Sequence, residues 1–311
     1  MSIVGKAIRV VCLLSVGALS ACAASHDPSG AEATAAVSAA KQGSEGWRDV
    51  DTIALDTGVT LTYVAQGRPS GEVVIFLHGY TDSHRSYDRV LPIFPRRYRA
   101  YALDQRGHGD SDKPACCYRQ GDFVADVIAF MDALGIAEAT LVGHSMGSFI
   151  AHQAAVEHPD RVSRLVLIGS APTSAGNPVL VDFLDFVGTL TDPIDPEFIR
   201  EFQASTAFEP LPPWFLDVVV SESQKVPATV WQQALAGLVA EDHSASLPNI
   251  SAPTLILWGD KDDIFPAADQ QALQAALPGA TFITYADVGH GTHWEVPARV
   301  TVDIARFLRE R

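Results

Sequence analysis

Residues 143–147 have the pattern Gly-x-Ser-x-Gly and directly follow the apolar pair Leu141-Val142. In this pattern the serine lies at the apex of a sharp strand-to-helix turn, and the glycines leave room for the bend. The Ser145 hydroxyl would project into a cleft, and the Met146 backbone N–H would face the position where a carbonyl oxygen becomes negative. Ser145 is therefore a candidate nucleophile. The pattern is short and also occurs by chance, so an ordinary glycine-rich turn is the alternative.

A serine hydroxyl is a weak nucleophile at neutral pH and needs a general base. His290 follows the apolar run 280–285, which we interpret as the last strand, and precedes a C-terminal amphipathic helix. Where a serine lies at such a strand-to-helix turn, the base is expected in a loop at the end of another strand. His293 is the rival base, although we expect it to open the helix or to line the pocket entrance.

The base in turn needs a carboxylate that fixes its tautomer. The predicted strand 254–258 is followed by three acids, of which Asp260 is expected to serve the turn itself. Asp262 lies far enough into the loop to reach His290 and is our prediction, with Asp263 as the weaker candidate. The earlier strand 164–169 leads into a segment without a carboxylate.

A second donor to the oxyanion is expected from the loop after the predicted strand 73–77. That strand runs into His78, Gly79 and Tyr80. We predict that the Tyr80 amide faces the Met146 amide across the reacting carbonyl, and that the His78 imidazole is structural.

Five ordered motifs resemble the α/β-hydrolase superfamily, within it the esterase, lactonase and cofactor-free haloperoxidase branch. They occupy residues 78–80, 104–111, 143–147, 259–262 and 289–290, and the resemblance covers residues 47–311. It implies a triad of Ser145, Asp262 and His290, oxyanion amides of Tyr80 and Met146, and no cofactor.

The resemblance also assigns roles around the triad. It implies that segment 104–111 braces the site, with Arg106 and His108 structural. Haloalkane dehalogenases and epoxide hydrolases of this fold carry aspartate at the turn, so serine at position 145 argues for acyl transfer.

The wider pattern predicts an α/β fold. Short apolar strands alternate with helical periods, which indicates a mostly parallel eight-stranded sheet covered by helices on both faces, after an N-terminal hairpin in segment 51–65. The hydrolase core is expected to comprise residues 47–171 and 252–311.

The alternation stops in segment 172–251, where helical periods are interrupted by prolines. We interpret this segment as a helical cap inserted after the sixth strand. From its aromatic residues we predict four that line an apolar substrate pocket: Phe183, Phe186, Trp214 and Trp231.

The composition limits the classes of molecule that the protein could bind. The chain of 311 residues is 47% hydrophobic and has a formal charge of −15, which argues against nucleic acid and against binding to anionic lipid by charge alone. We expect a small-molecule partner and no metal, because no Cys or His spacing resembles a zinc set. The adjacent Cys116 and Cys117 could form a strained disulfide or remain thiols.

The amino terminus has the features of an export signal. Lys6 and Arg9 precede the apolar run 10–19, and the sequence Leu19-Ser20-Ala21-Cys22 resembles a bacterial lipobox. We expect residues 1–21 to be a signal peptide, Cys22 to be lipidated and residues 22–46 to form a flexible tether. The protein would then be exported and held at a membrane through its lipid. Ordinary cleavage after Ala23, which would release a soluble protein, is the alternative.

These observations predict a serine hydrolase that cleaves ester or lactone bonds of small, largely apolar substrates through an acyl-enzyme intermediate. Carbon–carbon bond hydrolysis and perhydrolase or haloperoxidase activity on the same triad are alternatives. A catalytically silent ligand-binding protein of the same fold is the alternative without an enzyme activity.

Overall fold

A computed structural model of the protein describes residues 49–310. The strands are β1 (Asp49–Ala54), β2 (Thr60–Gly67), β3 (Val73–Leu77), β4 (Arg99–Leu103), β5 (Ala139–His144), β6 (Val162–Ile168), β7 (Thr254–Gly259) and β8 (Thr281–Tyr285). The helices are α1 (Gln120–Ala133), α2 (Met146–Glu157), α3 (Pro178–Val187), α4 (Pro196–Ser205), α5 (Pro213–Ser223), α6 (Ala228–Ala240), α7 (Ala267–Ala276), α8 (Thr292–Glu295) and α9 (Pro297–Phe307).

The eight strands form one sheet in the order β1-β2-β4-β3-β5-β6-β7-β8. The first two pairs, β1 with β2 and β2 with β4, are antiparallel, and all the remaining pairs are parallel. The predicted mostly parallel eight-stranded sheet and its N-terminal hairpin are confirmed. All carboxyl ends of the parallel strands therefore meet at one edge of the sheet, where loops from distant parts of the chain come together.

Both faces of the sheet are buried because the apolar strands alternate their side chains between two layers. In β3, Ile75 and Leu77 pack in one layer with helices α1 and α2. Val74 and Phe76 face the other layer, which includes Ile304 of α9. A strand that is apolar at every position is typical of a sheet that is buried on both faces.

Four helices, α3 to α6, are inserted between β6 and β7. Prolines occupy the first turns of α3, α4 and α5, where the missing N–H costs nothing, and the side chains of Asn177 and Asp195 cap α3 and α4. An aromatic cluster holds the helices together, with the rings of Phe183 and Phe202 stacked at 5.2 Å. The predicted helical cap after the sixth strand is confirmed.

The amino-terminal predictions lie outside the described residues: the signal peptide over residues 1–21, lipidation of Cys22 and the tether over residues 22–46. Export and membrane tethering remain predictions. Within residues 49–310, no helix has both the length and the apolar character that crossing a bilayer requires.

The loop after β4 is fixed by a buried ion pair, consistent with the structural role expected of Arg106. Its Nε and Nη2 atoms donate to the two carboxylate oxygens of Asp126 in α1, each at 2.6 Å. Arg106 Nη1 also donates to the Cys117 carbonyl, and Cys117 is joined to Cys116 by a disulfide. Of the two states left open for these cysteines, the structure contains the oxidised one.

We predict that Arg106→Met lowers the free energy of unfolding by about 3–5 kcal/mol, because it leaves the Asp126 carboxylate buried without its cation. The matched control is Arg200→Met, which removes an exposed pair with Asp217 that has the same N–O distance of 2.6 Å. The control should cost less than about 1 kcal/mol. Urea denaturation of the two variants measures the difference, and equal losses would contradict the structural role of the buried pair.

Candidate active site

Ser145 lies between β5 and α2 with a backbone φ of +50° and ψ of −119°. This strained conformation persists because the surrounding packing imposes it. The Ser145 N–H donates to the Ile168 carbonyl at 2.9 Å, and a Cβ atom on Gly147 would lie 2.2 Å from the Leu77 carbonyl oxygen. Only glycine allows the start of α2 to approach β3 this closely.

Two backbone N–H groups beside Ser145, those of Met146 and Tyr80, have no backbone acceptor in the described part of the chain. Met146 is the first residue of α2, so its N–H has no acceptor within the helix. Among the hydrogen bonds of residues 49–310, neither the Met146 N–H nor the Tyr80 N–H is paired with a backbone carbonyl. Tyr80 and Ser145 line the same cavity. The Tyr80 hydroxyl donates to the Trp231 carbonyl of the cap at 2.6 Å, which holds the Tyr80 loop against α6.

The structure brings Asp262 and His290 together. Asp262 Oδ2 lies 2.9 Å from His290 Nδ1, and Asp262 Oδ1 accepts hydrogen bonds from the backbone N–H groups of Ile264 at 2.9 Å and Phe265 at 3.0 Å. Both side chains are buried. His290 Nε2 has no hydrogen-bond partner among the described residues, and His290 lines one cavity with Ser145. The ring is thus oriented by the acid while its other nitrogen is free for proton transfer.

Of the two rival acids, Asp260 is hydrogen-bonded elsewhere and Asp263 is exposed. Asp260 Oδ1 accepts from the Asp287 N–H at 2.7 Å, which is the turn role expected for it, and Asp263 is exposed. The rival base His293 is fully buried, where its Nε2 atom lies 3.0 Å from Ser86 Oγ. His293 is absent from the residues that line the cavity of Ser145.

The buried histidines His78, His108 and His293 have pKa values well below the usual range. His78 Nε2 accepts from the Gln105 N–H at 3.0 Å while its Nδ1 donates to the Gly79 carbonyl at 2.7 Å. Burial lowers the pKa of His78 to about 4, and burial together with neighbouring positive charge lowers the pKa of His108 and of His293 to about 3. His78 thus ties its loop to the loop after β4, whereas His108 Nδ1 donates to the Arg106 carbonyl at 2.8 Å within its own loop.

The cavity at Ser145 has a mostly apolar wall, most of which the cap supplies. Phe183 lines it as predicted, but the other three predicted pocket residues do not. Phe186 and Trp231 pack inside the cap cluster, where Trp231 is fully buried, and Trp214 is 56% exposed. The apolar lining residues are Leu180, Phe183, Phe202, Leu235, Leu238, Ile264 and Trp294.

Sequence reasoning missed four polar residues that line this cavity: Asp82, His144, Gln203 and Thr206. Asp82 lies two residues after the predicted oxyanion amide of Tyr80, and that position was the available signal. No periodicity pointed to Gln203, because α4 turns an otherwise ordinary glutamine inward. Among the described residues, no group of three or more His, Cys, Asp or Glu side chains could hold a metal ion.

The sequence profile of the alpha/beta hydrolase fold matches residues 72–297. The chain belongs to this family. A non-heme chloroperoxidase from Streptomyces lividans is 28% identical to this α/β-hydrolase over 283 residues, covering 83% of the chain and 99% of the relative. A 2-hydroxy-6-oxononadienedioate/2-hydroxy-6-oxononatrienedioate hydrolase from Burkholderia vietnamiensis is 28% identical over 254 residues, covering 76% of the chain and 87% of the relative.

Among solved structures, an esterase from Exiguobacterium antarcticum superposes on this α/β-hydrolase with a TM-score of 0.76. It is 23% identical, and the match covers 83% of the chain and 99% of the esterase. At this identity the likeness shows the fold. The relatives span several chemistries on one architecture, so the choice among them rests on the site.

Asp82 generates a prediction on pH. Burial raises its pKa from 3.8 to about 7, so between these values the folded protein retains a proton that the unfolded chain has released. This group therefore makes stability fall as pH rises through that window. Relative to the natural protein, Asp82→Asn should gain on the order of 1–3 kcal/mol in free energy of unfolding between pH 5 and pH 8.

Urea denaturation of both proteins at the two pH values measures this gain. Buried histidines with lowered pKa values contribute with the opposite sign, and those distant from Asp82 cancel because both proteins contain them. A difference that does not change with pH would contradict the elevated pKa of Asp82.

Proposed function

We propose that this protein is a serine hydrolase that cleaves carboxylic esters or lactones through an acyl-enzyme intermediate. The observation that carries the proposal is the pair of Asp262 and His290, with Oδ2 and Nδ1 2.9 Å apart. His290 Nε2 has no partner among the described residues, and His290 lines the same cavity as Ser145. A positioned acid, base and hydroxyl with two adjacent N–H donors match the requirements of acyl transfer.

In this reaction Ser145 Oγ attacks the carbonyl carbon and His290 Nε2 takes the hydroxyl proton. The Tyr80 and Met146 amides donate to the resulting oxyanion. As the carbonyl reforms, the bond to the leaving oxygen breaks and His290 returns the proton to that oxygen. Water then attacks the acyl-serine, gives its proton to His290, and the acid is released as the proton returns to Ser145. Asp262 remains ionised and orients the imidazole.

The walls of the cavity favour a small, largely apolar substrate. Leu180, Phe183 and Phe202 of the cap and Ile264 of the loop after β7 surround the serine with hydrocarbon. Such a lining excludes water from the reacting carbonyl and strengthens the oxyanion hydrogen bonds. The reaction as written requires no cofactor and no metal.

We predict that Ser145→Ala abolishes turnover of p-nitrophenyl butyrate, because no other hydroxyl occupies the apex of the turn. The measurement is release of p-nitrophenolate, with fluorophosphonate labelling as a second readout of the serine. Residual turnover above about one thousandth of the natural rate would point to another nucleophile. A natural protein that neither labels nor turns over any ester would favour the silent ligand-binding alternative.

We predict that Asp262→Asn lowers kcat by about 10³–10⁴-fold, since an amide favours the wrong imidazole tautomer. The adjacent exposed residue supplies the control, and Asp263→Asn should stay within about twofold of the natural protein. Steady-state kinetics on p-nitrophenyl butyrate compares the two variants. A larger loss of kcat in the Asp263 variant would identify Asp263 as the acid.

Two other chemistries are favoured by the relatives rather than by the site. The names of the chloroperoxidase and of the oxononadienedioate hydrolase suggest peracid formation and carbon–carbon bond hydrolysis as alternatives. Both would use the same serine. A panel of short esters, lactones and vinylogous diketones, compared by kcat/KM, separates these reactions from the proposed one.

A further inference from the structure

The cavity at Ser145 contains a polar end that the proposed acyl transfer does not use. Asp82, in the loop after β3, and Gln203, in cap helix α4, both line the cavity and are only 3% and 1% exposed. The cap residues that line the cavity beside them are largely apolar. Polar side chains that are buried in an apolar cavity need partners, which a ligand can supply.

The amide nitrogen of Gln203 is fully used by the protein. Nε2 donates to Ser223 Oγ at 2.6 Å and to Asp82 Oδ1 at 3.1 Å, and Thr81 Oγ1 lies at 3.3 Å. These acceptors fix which way the amide faces. Gln203 Oε1 is the acceptor of no hydrogen bond among the described residues, although an amide oxygen can accept two.

Asp82 is not paired with a cation, and its hydrogen-bond donors are the Gln203 amide, the Gly79 backbone and the Ser86 side chain. These donors do not exhaust the acceptor capacity of a carboxylate. The nearest imidazole nitrogen, His144 Nδ1, is 4.0 Å from Asp82 Oδ2, which exceeds a hydrogen bond, and burial holds the pKa of His144 well below its usual range. His290 and Tyr87 are the other titratable groups beside Asp82. His290 is already bonded to Asp262, and the Tyr87 hydroxyl donates to the Leu77 carbonyl. Asp82 therefore retains capacity to accept a hydrogen bond from a ligand.

We propose that Asp82 and Gln203 form a subsite that accepts a hydrogen bond from a substrate hydroxyl, so that the preferred substrates are esters or lactones bearing a hydroxyl near the reacting carbonyl. The inference rests on the proposed function and names its substrate class. A hydroxyl fits the site better than an ammonium group, which would lose its hydration among the apolar walls at much greater cost. A site built to bind a hydroxyl discriminates against the analogue that lacks it, since its buried acceptors are then unpaired.

The hydroxyl could belong to the acyl or to the alcohol portion, so the experiment uses two pairs of esters that differ only by hydroxyl against methyl. The acyl pair is ethyl 3-hydroxybutyrate and ethyl 3-methylbutyrate. The alcohol pair is 2-hydroxyethyl butyrate and propyl butyrate. In a pH-stat assay the natural protein should favour the hydroxyl member of one pair by about tenfold or more in kcat/KM.

Gln203→Met tests the residue, because methionine keeps the length of the side chain and removes both polar atoms. The ratio of hydroxyl to methyl substrate should fall at least about fivefold, whereas a purely structural role would lower both members equally and leave the ratio unchanged. The control is Gln224→Met, an exposed glutamine at the end of α5, which should keep the natural ratio.

Asp82→Asn provides a second variant if Gln203→Met does not fold, and the same loss of ratio is expected from it. Equal kcat/KM for both members of both pairs in the natural protein would overturn the subsite and leave the serine hydrolase intact. If none of the four esters were hydrolysed and fluorophosphonate did not label the protein, the proposed function would be overturned, and this inference with it.

Discussion

The hydrogen bond between Asp262 and His290 depends on strands β7 and β8 being neighbours. The two residues are 28 positions apart, and each lies in the loop at the carboxyl end of its strand. The parallel pairing of β7 with β8 brings these loops to one edge of the sheet, and the backbone N–H groups of Ile264 and Phe265 then orient the carboxylate. Without that pairing the imidazole would have neither a fixed tautomer nor a fixed direction toward Ser145.

Two buried carboxylates near the serine illustrate how environment assigns a role. Asp262 accepts hydrogen bonds from two backbone N–H groups and contacts the His290 ring, so its charge is well compensated. Asp82 is bonded to the Gln203 amide, the Gly79 backbone and the Ser86 side chain, but burial outweighs these bonds and raises its pKa to about 7. The first acid is suited to holding a base, and the second is suited to meeting a ligand.

The sequence was sufficient to predict the sheet, the cap and the residues that stand at strand ends. These features depend on local patterns: Ser145 and His290 each follow a short apolar run that is typical of a buried strand, and the sheet then determines where they meet. The contact of Asp262 with His290 was predictable for the same reason, because Asp262 lies far enough into its loop to reach the histidine.

The lining of the cavity was not predictable in this way. Phe183, Phe186 and Trp231 have the same apolar character in sequence, yet only Phe183 reaches the cavity while the other two fill the cap cluster. Which face of a cap helix points toward the serine depends on packing between helices that are connected by proline-rich loops. Helical periodicity gives an inward face but not the neighbour that this face contacts.

The cap and the reacting loops are held together by polar contacts. Gln203 binds Asp82 two residues from the Tyr80 amide, and the Tyr80 hydroxyl binds the Trp231 carbonyl. On the other side, Glu295 accepts from the Gly289 N–H beside His290 at 2.8 Å and from the Phe208 N–H of the cap at 3.0 Å. The cap therefore contacts both the loop that would bind the oxyanion and the loop that carries the base. A substrate that changes the position of the cap would also change the geometry of the reacting groups, so in the proposed reaction substrate recognition and catalysis would share these hydrogen bonds.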